Sequence, residues 1–466
     1  MAKVNFAFSN FTAGELSPRL GGRTDLSKYY NGCNQLENFL VHPHGGASRR
    51  PGSRFIAEIK SSAAQSRLVP FQFNVLQAYI LEFFNNGFRI FKDGGSVTSG
   101  SPAAAVEVTT TYTTAQLDAL KFAQSADVMY VVHPDHPVRK ISRTSHTAWT
   151  ITDVDLARGP LLDANTTTTT MTASARTGSS ITITASAVTG VNGGDGFTAG
   201  VDIGRIIKLH HGYAKITAVN STTEVVSTAL ENDRFVAEIE PSYTASTIAF
   251  VEGDPSSTGL EHNDRITDTA KNFIDEGFEN GMTITVSGAS TGGNNTDYLL
   301  VQVTADTLLI APSDDVANES ASASITIVGK LEADDEWRLG AFYIANYPSS
   351  VAFYEQRLVF ASTANQPQTL FFSVGGDYEN FTPGVLADSA LTYTIGSNQV
   401  NVIRYLSSSR SLLVGTSGGE FAVRASSADE PLSPTNAQIK QQSAYGSADV
   451  QPVQVGNAVL FLHRAA

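Results

Sequence analysis

Short runs of apolar residues, separated by turn-forming residues, dominate the chain from residue 67 onward. Residues 67–73 and 77–84 are short, mainly apolar runs typical of strands, and Asn85-Asn86-Gly87 separates the second run from the next one at 88–92. An Asn-Gly pair between two apolar runs is a strong hairpin signal, so antiparallel strands are predicted here. Similar runs follow at 127–132, 138–143 and 149–151, and again at 351–360, 411–414 and 420–423.

These runs recur in units of roughly 40–55 residues, a spacing that is typical of the blades of a β-propeller. One set of units lies in residues 61–160 and a second in 336–466, where the last unit, beginning at Val453, is incomplete. The sequence therefore predicts an all-β, mainly antiparallel fold with a β-propeller-like domain in two parts, truncated at its C-terminus. Because the units are degenerate, a β-sandwich is the alternative.

Helical spacing of apolar residues is found in two short stretches. Residues 25–39 place Leu26, Tyr29 and Leu36 at partly helical intervals, which predicts a short helix. Residues 114–123 are predicted to form a second short helix with Thr114 as its N-cap.

Residues 161–335 interrupt the propeller-like pattern and differ from it in composition. They are dense in Thr, Val, Ile and Gly and are predicted to be an inserted β-barrel or sandwich region, with two small modules at 165–240 and 262–330. The segment holds 8 Lys and Arg against 24 Asp and Glu, a net charge of −16 in a chain whose net charge is −14. Such charge repels phosphate, so tight DNA binding is not expected, although solubility alone is the simpler reason for it.

Residues 1–60 are irregular, contain few apolar residues and are predicted to form a docking arm. Arginine side chains pair with carboxylates through two parallel hydrogen bonds, so an assembly interface is predicted at Arg19, Arg23, Arg49, Arg50 and Arg54. The alternative is an ordered wrap of this segment over its own domain. The single cysteine, Cys33, excludes an intrachain disulfide, and neither a signal peptide nor a long apolar run is found, which favours folding in a reducing cytoplasm.

Candidate catalytic and metal-binding patterns do not fit their chemistry. Gly415-Thr416-Ser417-Gly418-Gly419 matches the Gly-x-Ser-x-Gly pattern of serine hydrolases, but strand-like alternation follows it instead of the required helix. The histidine pairs at 42/44 and 133/136 flank prolines and lack the spacing of metal ligands. We therefore expect no catalytic, cofactor or metal site, and no enzymatic activity.

Two stretches resemble a known family of phage proteins. The first comprises residues 10–20, 22–26, 38–39 and 45–52, and the second runs from Trp337 through 353–360 and 377–381 to 445–447. Together they are similar to the tail tubular protein B, or tail nozzle, family of podovirus-like bacteriophages. The positions that carry the resemblance are Asn10, Phe11, Gly14, Glu15, Pro18, Asp25, Pro51, Gly52, Gln356, Arg357, Tyr378, Phe381, Tyr445 and Gly446.

The resemblance implies a structural subunit of a short viral tail, located in the virion after assembly in the host cytoplasm. Its implied partners are copies of itself in a hexamer, the head–tail adaptor ring above, and a tail fibre or tailspike at its side. Double-stranded DNA would be ejected through the lumen during host entry without being held tightly. The alternative function is that of a carbohydrate-binding or receptor-binding tail protein or adhesin.

Overall fold

The computed structural model is built mostly of antiparallel β-sheets, which confirms the all-β, mainly antiparallel part of the prediction. It describes residues 8–465 except 157, 175–177, 210–211, 231–241, 255, 257–262, 271, 277, 279, 322–323, 330–332, 385, 397–400, 428–429 and 457. Within these residues, no helix has both the length and the apolar character that crossing a bilayer requires.

The chain divides into two compact units, residues 1–59 with 94–96 and residues 60–93 with 97–466. The first unit contains 3-10 helices at Pro18–Leu20 and Tyr29–Asn31 and the strands β1 (Gly14–Glu15), β2 (Gly32–Cys33), β3 (Phe39–Val41) and β4 (Ala47–Arg49). The parallel pair β1–β2 and the antiparallel pair β3–β4 are its sheets. The helix predicted over 25–39 is wrong, because the 3-10 turn ends at Asn31 and extended Gly32 starts β2 at once.

The second unit opens with two antiparallel meanders. The strands in chain order are β5 (Arg67–Gln72), β6 (Ala78–Phe84), β7 (Gly87–Lys92), β8 (Gly95–Ser96, a part of the first unit), β9 (Thr98–Ser99), β10 (Ala104–Ala105), β11 (Glu107–Thr109), β12 (Lys121–Ser125), β13 (Val128–His133), β14 (His136–Arg143) and β15 (Trp149–Asp153). Sheet 1 has the order β11-β7-β6-β5, and sheet 2 has the order β12-β13-β14-β15.

The helix predicted over 114–123 is shorter than expected, and its N-cap lies one residue before the predicted Thr114. A 3-10 helix spans Thr114–Ala119, and its N-cap is Thr113, whose backbone N–H donates to the Gln116 side chain (3.0 Å) in a capping box. Leu120 is already extended, and β12 follows because residues 121–125 pair with β13. Pairing between strands therefore overrides the local helical pattern.

The inserted segment consists of two β-modules, one nested inside the other. Its strands are β16 (Met171–Ala173), β17 (Ile181–Ala185), β18 (Ile206–Leu209), β19 (Gly212–Ser221), β20 (Glu224–Ala229), β21 (Ser242–Ala245), β22 (Ala249–Val251), β23 (Arg265–Thr267), β24 (Thr283–Ser287), β25 (Asp297–Val303), β26 (Thr307–Ile310), β27 (Ile325–Gly329) and β28 (Arg338–Leu339). The outer module is the sheet β16-β17-β20-β19-β18-β28 with helix α1 (Ala199–Asp202) and a 3-10 helix at Val191–Gly194. The inner module is the sheet β21-β27-β24-β25-β26-β23-β22 with a 3-10 helix at Gly292–Asn294.

The boundaries of these modules differ from those predicted. After the inner module the chain returns to the outer one, where β28 pairs with β18 and Trp337 and Leu339 join the core around Ile207. The boundary predicted at 335/336 therefore cuts through the outer module. The inner module begins at Ser242, before the predicted residue 262, while 240, 262 and 330 themselves lie outside the described residues.

The two ends of the insertion run side by side. The backbone N–H of Leu162 donates to the Leu339 carbonyl (2.8 Å), and the N–H of Ala341 donates to the Pro160 carbonyl (2.7 Å). At this junction the buried Arg205 pairs with Asp202 (2.8 Å) and also donates to a carbonyl of the returning chain, at residue 340 (2.8 Å). The insertion thus leaves and re-enters the host at one place, as is typical of tolerated domain insertions.

The remaining strands are two further meanders and a hairpin. They are β29 (Ser350–Tyr354), β30 (Arg357–Ala361), β31 (Thr369–Phe372), β32 (Leu391–Thr394), β33 (Ile403–Ser408), β34 (Leu412–Thr416), β35 (Gly419–Ala425), β36 (Ala437–Ser443), β37 (Val453–Val455) and β38 (Ala458–Leu460). Sheet 3 has the order β29-β30-β31-β32 and sheet 4 the order β33-β34-β35-β36. Strands β37 and β38 pair with each other.

Consecutive sheets share their cores. Successive side chains of a strand point to opposite faces, and in β13 Val131 belongs to the core shared with sheet 1, while Tyr130 and Val132 belong to the core shared with sheet 3. In β30, Phe360 belongs to this second core and Val359 to the one shared with sheet 4. Sheets 2 and 3 are therefore buried on both faces, and residues on either side of the insertion form a common core.

A deletion tests the observed boundaries. Leu161 and Gly340 form an antiparallel bridge, so a two-residue Asn-Gly turn can join them. A variant that lacks residues 162–339 and carries this turn should keep the stacked sheets folded. Removing 161–335 instead should give a less soluble protein, because Trp337 and Leu339 lose the core that buries them. Soluble yield and thermal melting of both variants, beside the full chain, decide this, and equal behaviour of the two deletions would contradict the boundaries described above.

Candidate assembly surfaces

The first unit is held by turns rather than by a core. Within residues 8–59 no apolar side chain is buried, and Gly45 is the buried residue of that range. Large apolar side chains are instead exposed, at Phe8, Tyr30, Phe39, Leu40, Phe55, Ile56 and Ile59. Phe55 keeps 78% of its surface in contact with solvent. A unit of this kind leaves its apolar surface available to other chains.

An open groove within the first unit gathers part of this apolar surface. It is lined mainly by Phe8, Phe11, Leu16, Leu20, Tyr29 and Tyr30. The rings of Tyr29 and Tyr30 meet edge to face at 5.6 Å. Aromatic side chains that lie near arginine are the usual composition of the centre of a protein–protein interface.

The five predicted interface arginines are all exposed, and they differ in their partners. Arg23 pairs with Asp25 at 2.7 Å, which raises the pKa of the guanidinium and lowers the pKa of the carboxyl group. Arg50 donates to the Asn38 side chain (2.6 Å) and to a neighbouring backbone carbonyl. The others, Arg19, Arg49 and Arg54, form no ion pair with any described residue. Among the described residues, three exposed guanidinium groups thus lack an ion pair, in a unit that also exposes aromatic rings.

The N-terminal family positions build the local turns of the first unit. The Asn10 side chain accepts a hydrogen bond from the backbone N–H two residues later (2.9 Å), and the Phe11 N–H donates to the Gly45 carbonyl (2.7 Å). The Glu15 carboxylate accepts from the backbone N–H of residue 36 (3.0 Å). Gly14 has a φ of 66°, and Pro18 opens the first 3-10 helix. Pro51 and Gly52 are exposed and lie outside any strand.

Gln356 and Arg357 lie at the end of sheet 3, where Arg357 connects the β29–β30 hairpin to neighbouring loops through hydrogen bonds. The β29–β30 hairpin turns through Glu355 and Gln356, both with positive φ, and the next residue, Arg357, is 3% exposed. Its guanidinium donates to the carbonyls of residues 373 (2.6 Å), 387 (2.6 Å), 388 (3.1 Å), 389 (2.8 Å) and 432 (3.4 Å). Burial lowers the pKa of this guanidinium, although nearby carboxylates oppose the shift. One arginine thus ties two loops to the hairpin.

The other family positions also have structural contacts. The Tyr378 ring lies 4.9 Å from Phe353, and the Phe381 ring stacks on Phe360 at 5.7 Å. Gly446 has a φ of 79°, and a Cβ there would lie 2.5 Å from the Ser417 carbonyl oxygen, so this position requires glycine. Tyr445 is different, because 67% of its surface is exposed.

A buried lysine that the sequence pattern did not single out joins the first strands of three sheets. Lys121 of β12 is 5% exposed and pairs with Asp449 at 2.6 Å. Its ammonium group also donates to the Arg404 carbonyl in β33 and to the Ser350 hydroxyl in β29. Burial lowers the pKa of Lys121, and Asp449 opposes that shift. The segment after sheet 4 therefore contacts sheet 2 through Asp449. It makes a second contact there, because the Gln451 side chain donates a hydrogen bond to the carbonyl of residue 122 (3.1 Å).

The patterns that suggested chemistry lie in hairpins. Ser417 and Gly418 form the turn between β34 and β35, with no helix after them. His133 and His136 pair across the β13–β14 turn, and burial is the main cause that lowers the pKa of each ring. In the described part of the chain, no three His, Cys, Asp or Glu side chains are placed to hold a metal ion. The expected lack of enzymatic activity stays a prediction.

Replacing Arg357 tests how much its hydrogen bonds to the loops stabilise the fold. Arg357→Met should lower the free energy of unfolding by roughly 3 kcal/mol or more, because the guanidinium is buried and its loss leaves five buried or partly buried backbone carbonyls without their donor. The matched control is Arg424→Met, on an exposed arginine of β35, which should change stability by less than about 0.5 kcal/mol. Urea unfolding followed by tryptophan fluorescence measures both. Equal midpoints for the two variants would show that Arg357 contributes little.

A scan against protein-family models found no family that matches the chain. A search of curated proteins likewise found no match. A function for this chain is therefore inferred from its own residues and contacts.

Proposed function

We propose that the chain is a structural subunit of a short bacteriophage tail, which assembles with copies of itself into a ring below the head–tail adaptor. The observation that carries the proposal is the first unit, which exposes aromatic side chains beside free arginines and buries no apolar core in its described residues. A segment of this kind gains most of its buried surface only when it binds another chain. The resemblance of its turn residues to the tail nozzle family supports the same function.

The stacked sheets support a rigid wall. Each of sheets 2 and 3 buries both faces, and the Lys121 and Arg357 contacts fix the sheets and loops against one another. We propose that these sheets are the blades of a propeller-like domain, which forms the body of the subunit. The wall of a channel through which a genome passes must not deform, and antiparallel sheets that share cores meet that requirement.

The acidic insertion fits the side of such a ring rather than a docking surface for DNA. Its strongly negative charge repels phosphate, and its two ends lie side by side where they join the stacked sheets. In the proposed assembly the genome passes through the lumen without tight binding. A tail fibre or tailspike and the adaptor ring are the further partners.

The docking role of the first unit is tested with Arg49→Glu combined with Arg54→Glu. Neither side chain has an ion pair to lose, so the melting temperature should stay within about 2 °C of the parent, while assembly into rings should be abolished by charge reversal at the interface. Native mass spectrometry and negative-stain images measure assembly, and Arg424→Glu is the control. Rings at physiological salt would contradict the docking role, and loss of folding would favour the intramolecular wrap.

The conduit role predicts little affinity for DNA. No shift of linear duplex DNA is expected at micromolar protein in moderate salt, because a net charge of −14 leaves room for few phosphate contacts. Electrophoretic mobility shift across a salt series measures this. A steeply salt-dependent dissociation constant of about 10⁻⁸ M or tighter would instead indicate a protein that organises DNA.

A further inference from the structure

Two histidines at the β13–β14 turn lie where sheet 2 meets the chain that leads out of sheet 1. His133 ends β13 and is 3% exposed, His136 begins β14, and their rings meet edge to face at 5.1 Å. The buried Tyr112, which follows β11 and belongs to the core shared by the two sheets, lies 5.0 Å from the His136 ring and 6.4 Å from the His133 ring. Two titratable rings therefore form part of the contact between consecutive sheets.

The hydrogen bonds of His133 require a neutral ring. Its Nδ1 accepts a hydrogen bond from the backbone N–H of Asp135 (3.1 Å), so this nitrogen carries no proton. A proton at Nδ1 would face that N–H as a second donor and break the bond. The Asp135 carboxylate lies 3.9 Å from the same nitrogen, but its side chain is 69% exposed, so solvent screens its attraction for a charged ring.

A chain of hydrogen bonds with a fixed direction holds His136 in its neutral form. The Gln116 side-chain oxygen accepts from the backbone N–H of Thr113 (3.0 Å) and can only accept, so His136 Nε2, 3.0 Å away, is the donor. The Arg139 guanidinium donates to the Thr111 hydroxyl (2.5 Å), whose own O–H is left to donate to His136 Nδ1 (3.3 Å). A second proton on His136 would direct two cations at one hydroxyl oxygen.

The charged groups around the turn do not offset the cost of burying a charged ring. Burial is the main cause that lowers the pKa of both rings, and the neighbouring His136 lowers the pKa of His133 further. For His136 the Arg139 guanidinium acts in the same direction. Asp135 and Asp153 act in the opposite direction, but Asp153 already pairs with Arg139 at 2.7 Å.

Two neighbouring segments that pack on the turn bring no negative charge to it. Residues 110–116, which lead from sheet 1 into the 3-10 helix, contain neither Asp nor Glu. The segment before sheet 3 brings Tyr347, whose backbone N–H donates to the Pro134 carbonyl (3.4 Å). Burial raises the pKa of Tyr112 to about 12 and also raises the pKa of Tyr347, so both phenols stay neutral near pH 7. A proton on either histidine therefore gains nothing from these segments.

We propose that His133 and His136 make the contact between sheets 1 and 2 sensitive to acid, closed while both rings are neutral and opened when the pair takes up protons. A ring released to solvent has an ordinary pKa of about 6.5. Because both pKa values are lower in the closed contact, the open state binds more protons below about pH 6.5. The contact thus keeps its full stability above that pH and loses it as the pH falls. This property belongs to the stacked sheets and does not depend on the proposed tail function.

Hydrogen exchange of the full-length chain tests the contact at about pH 7.8 and about pH 5.8. Protection factors, which remove the intrinsic pH dependence of exchange, should fall about tenfold or more on acidification for peptides within 107–120 and 128–143. Residues 283–329 of the inner module contain no histidine and are the internal reference against which this fall is measured. Unchanged protection of the two contact segments would overturn the proposal.

Variants that cannot titrate identify the two histidines as the cause. His133→Asn with His136→Gln keeps an acceptor near the first Nδ1 and a donor near the second Nε2, so protection should change less than about threefold between the two pH values. The matched control is His146→Gln, on an exposed histidine of the β14–β15 turn that also contacts sheet 1 through Tyr79, and it should keep the tenfold response. An equal response in the parent and the double variant, or its loss in the control alone, contradicts the proposal.

His133→Asn alone is the second variant if the double variant does not fold. It replaces the ring whose Nδ1 already accepts a backbone hydrogen bond, and it should reduce the tenfold acid response to about threefold. A response as large as that of the parent would show that His133 does not sense the pH.

Discussion

The burial of both faces of the middle sheets is the constraint on which the rest of the second unit depends. Because neighbouring residues of a strand point to opposite sides, a strand such as β13, which is apolar from Val128 to Val132, must be covered on both sides. Each added sheet covers one face and presents another. A stack built in this way ends only where a face becomes polar, where another segment covers it, or where a second chain does.

The few buried charges of the stack lie where loops and strands from different sheets meet. Arg357 donates to several backbone carbonyls, whereas Lys121 donates to the Arg404 carbonyl, the Ser350 hydroxyl and the Asp449 carboxylate. Each cation thus satisfies acceptors that come from different segments of the chain. A buried cation is costly unless it is fully hydrogen-bonded, so these positions fix one arrangement of the surrounding loops. Burial of the apolar sheet faces drives the sheets together, and the hydrogen bonds of the two cations fix how the surrounding loops are arranged.

Local patterns predicted the strands well and long-range relations poorly. The apolar runs at 67–73, 77–84 and 88–92 match β5, β6 and β7 closely, and the predicted turn lies between β6 and β7. Its two loop residues are Asn85 and Asn86, however, because Gly87 already pairs with Phe84, and Asn86 has the positive φ. The pairing of β18 with β28 could not be predicted, because the inner module separates them along the chain and Trp337 was assigned to the wrong side of a boundary. The arginines predicted to form an assembly interface could be named from the sequence alone and are exposed, whereas the contacts of Lys121 depend on three strands that meet only in the fold.

Nesting of the modules has a consequence for the order of synthesis. On the ribosome, β18 emerges well before its neighbour β28, because the whole inner module is translated between them. Until then the outer module has an uncovered edge and lacks Trp337 and Leu339. The inner module, whose strands are contiguous in sequence, can close first, and its folding shortens the loop that the outer sheet must bridge. We therefore expect the acidic insertion to fold from the inside outward, with β28 adding to the outer sheet last.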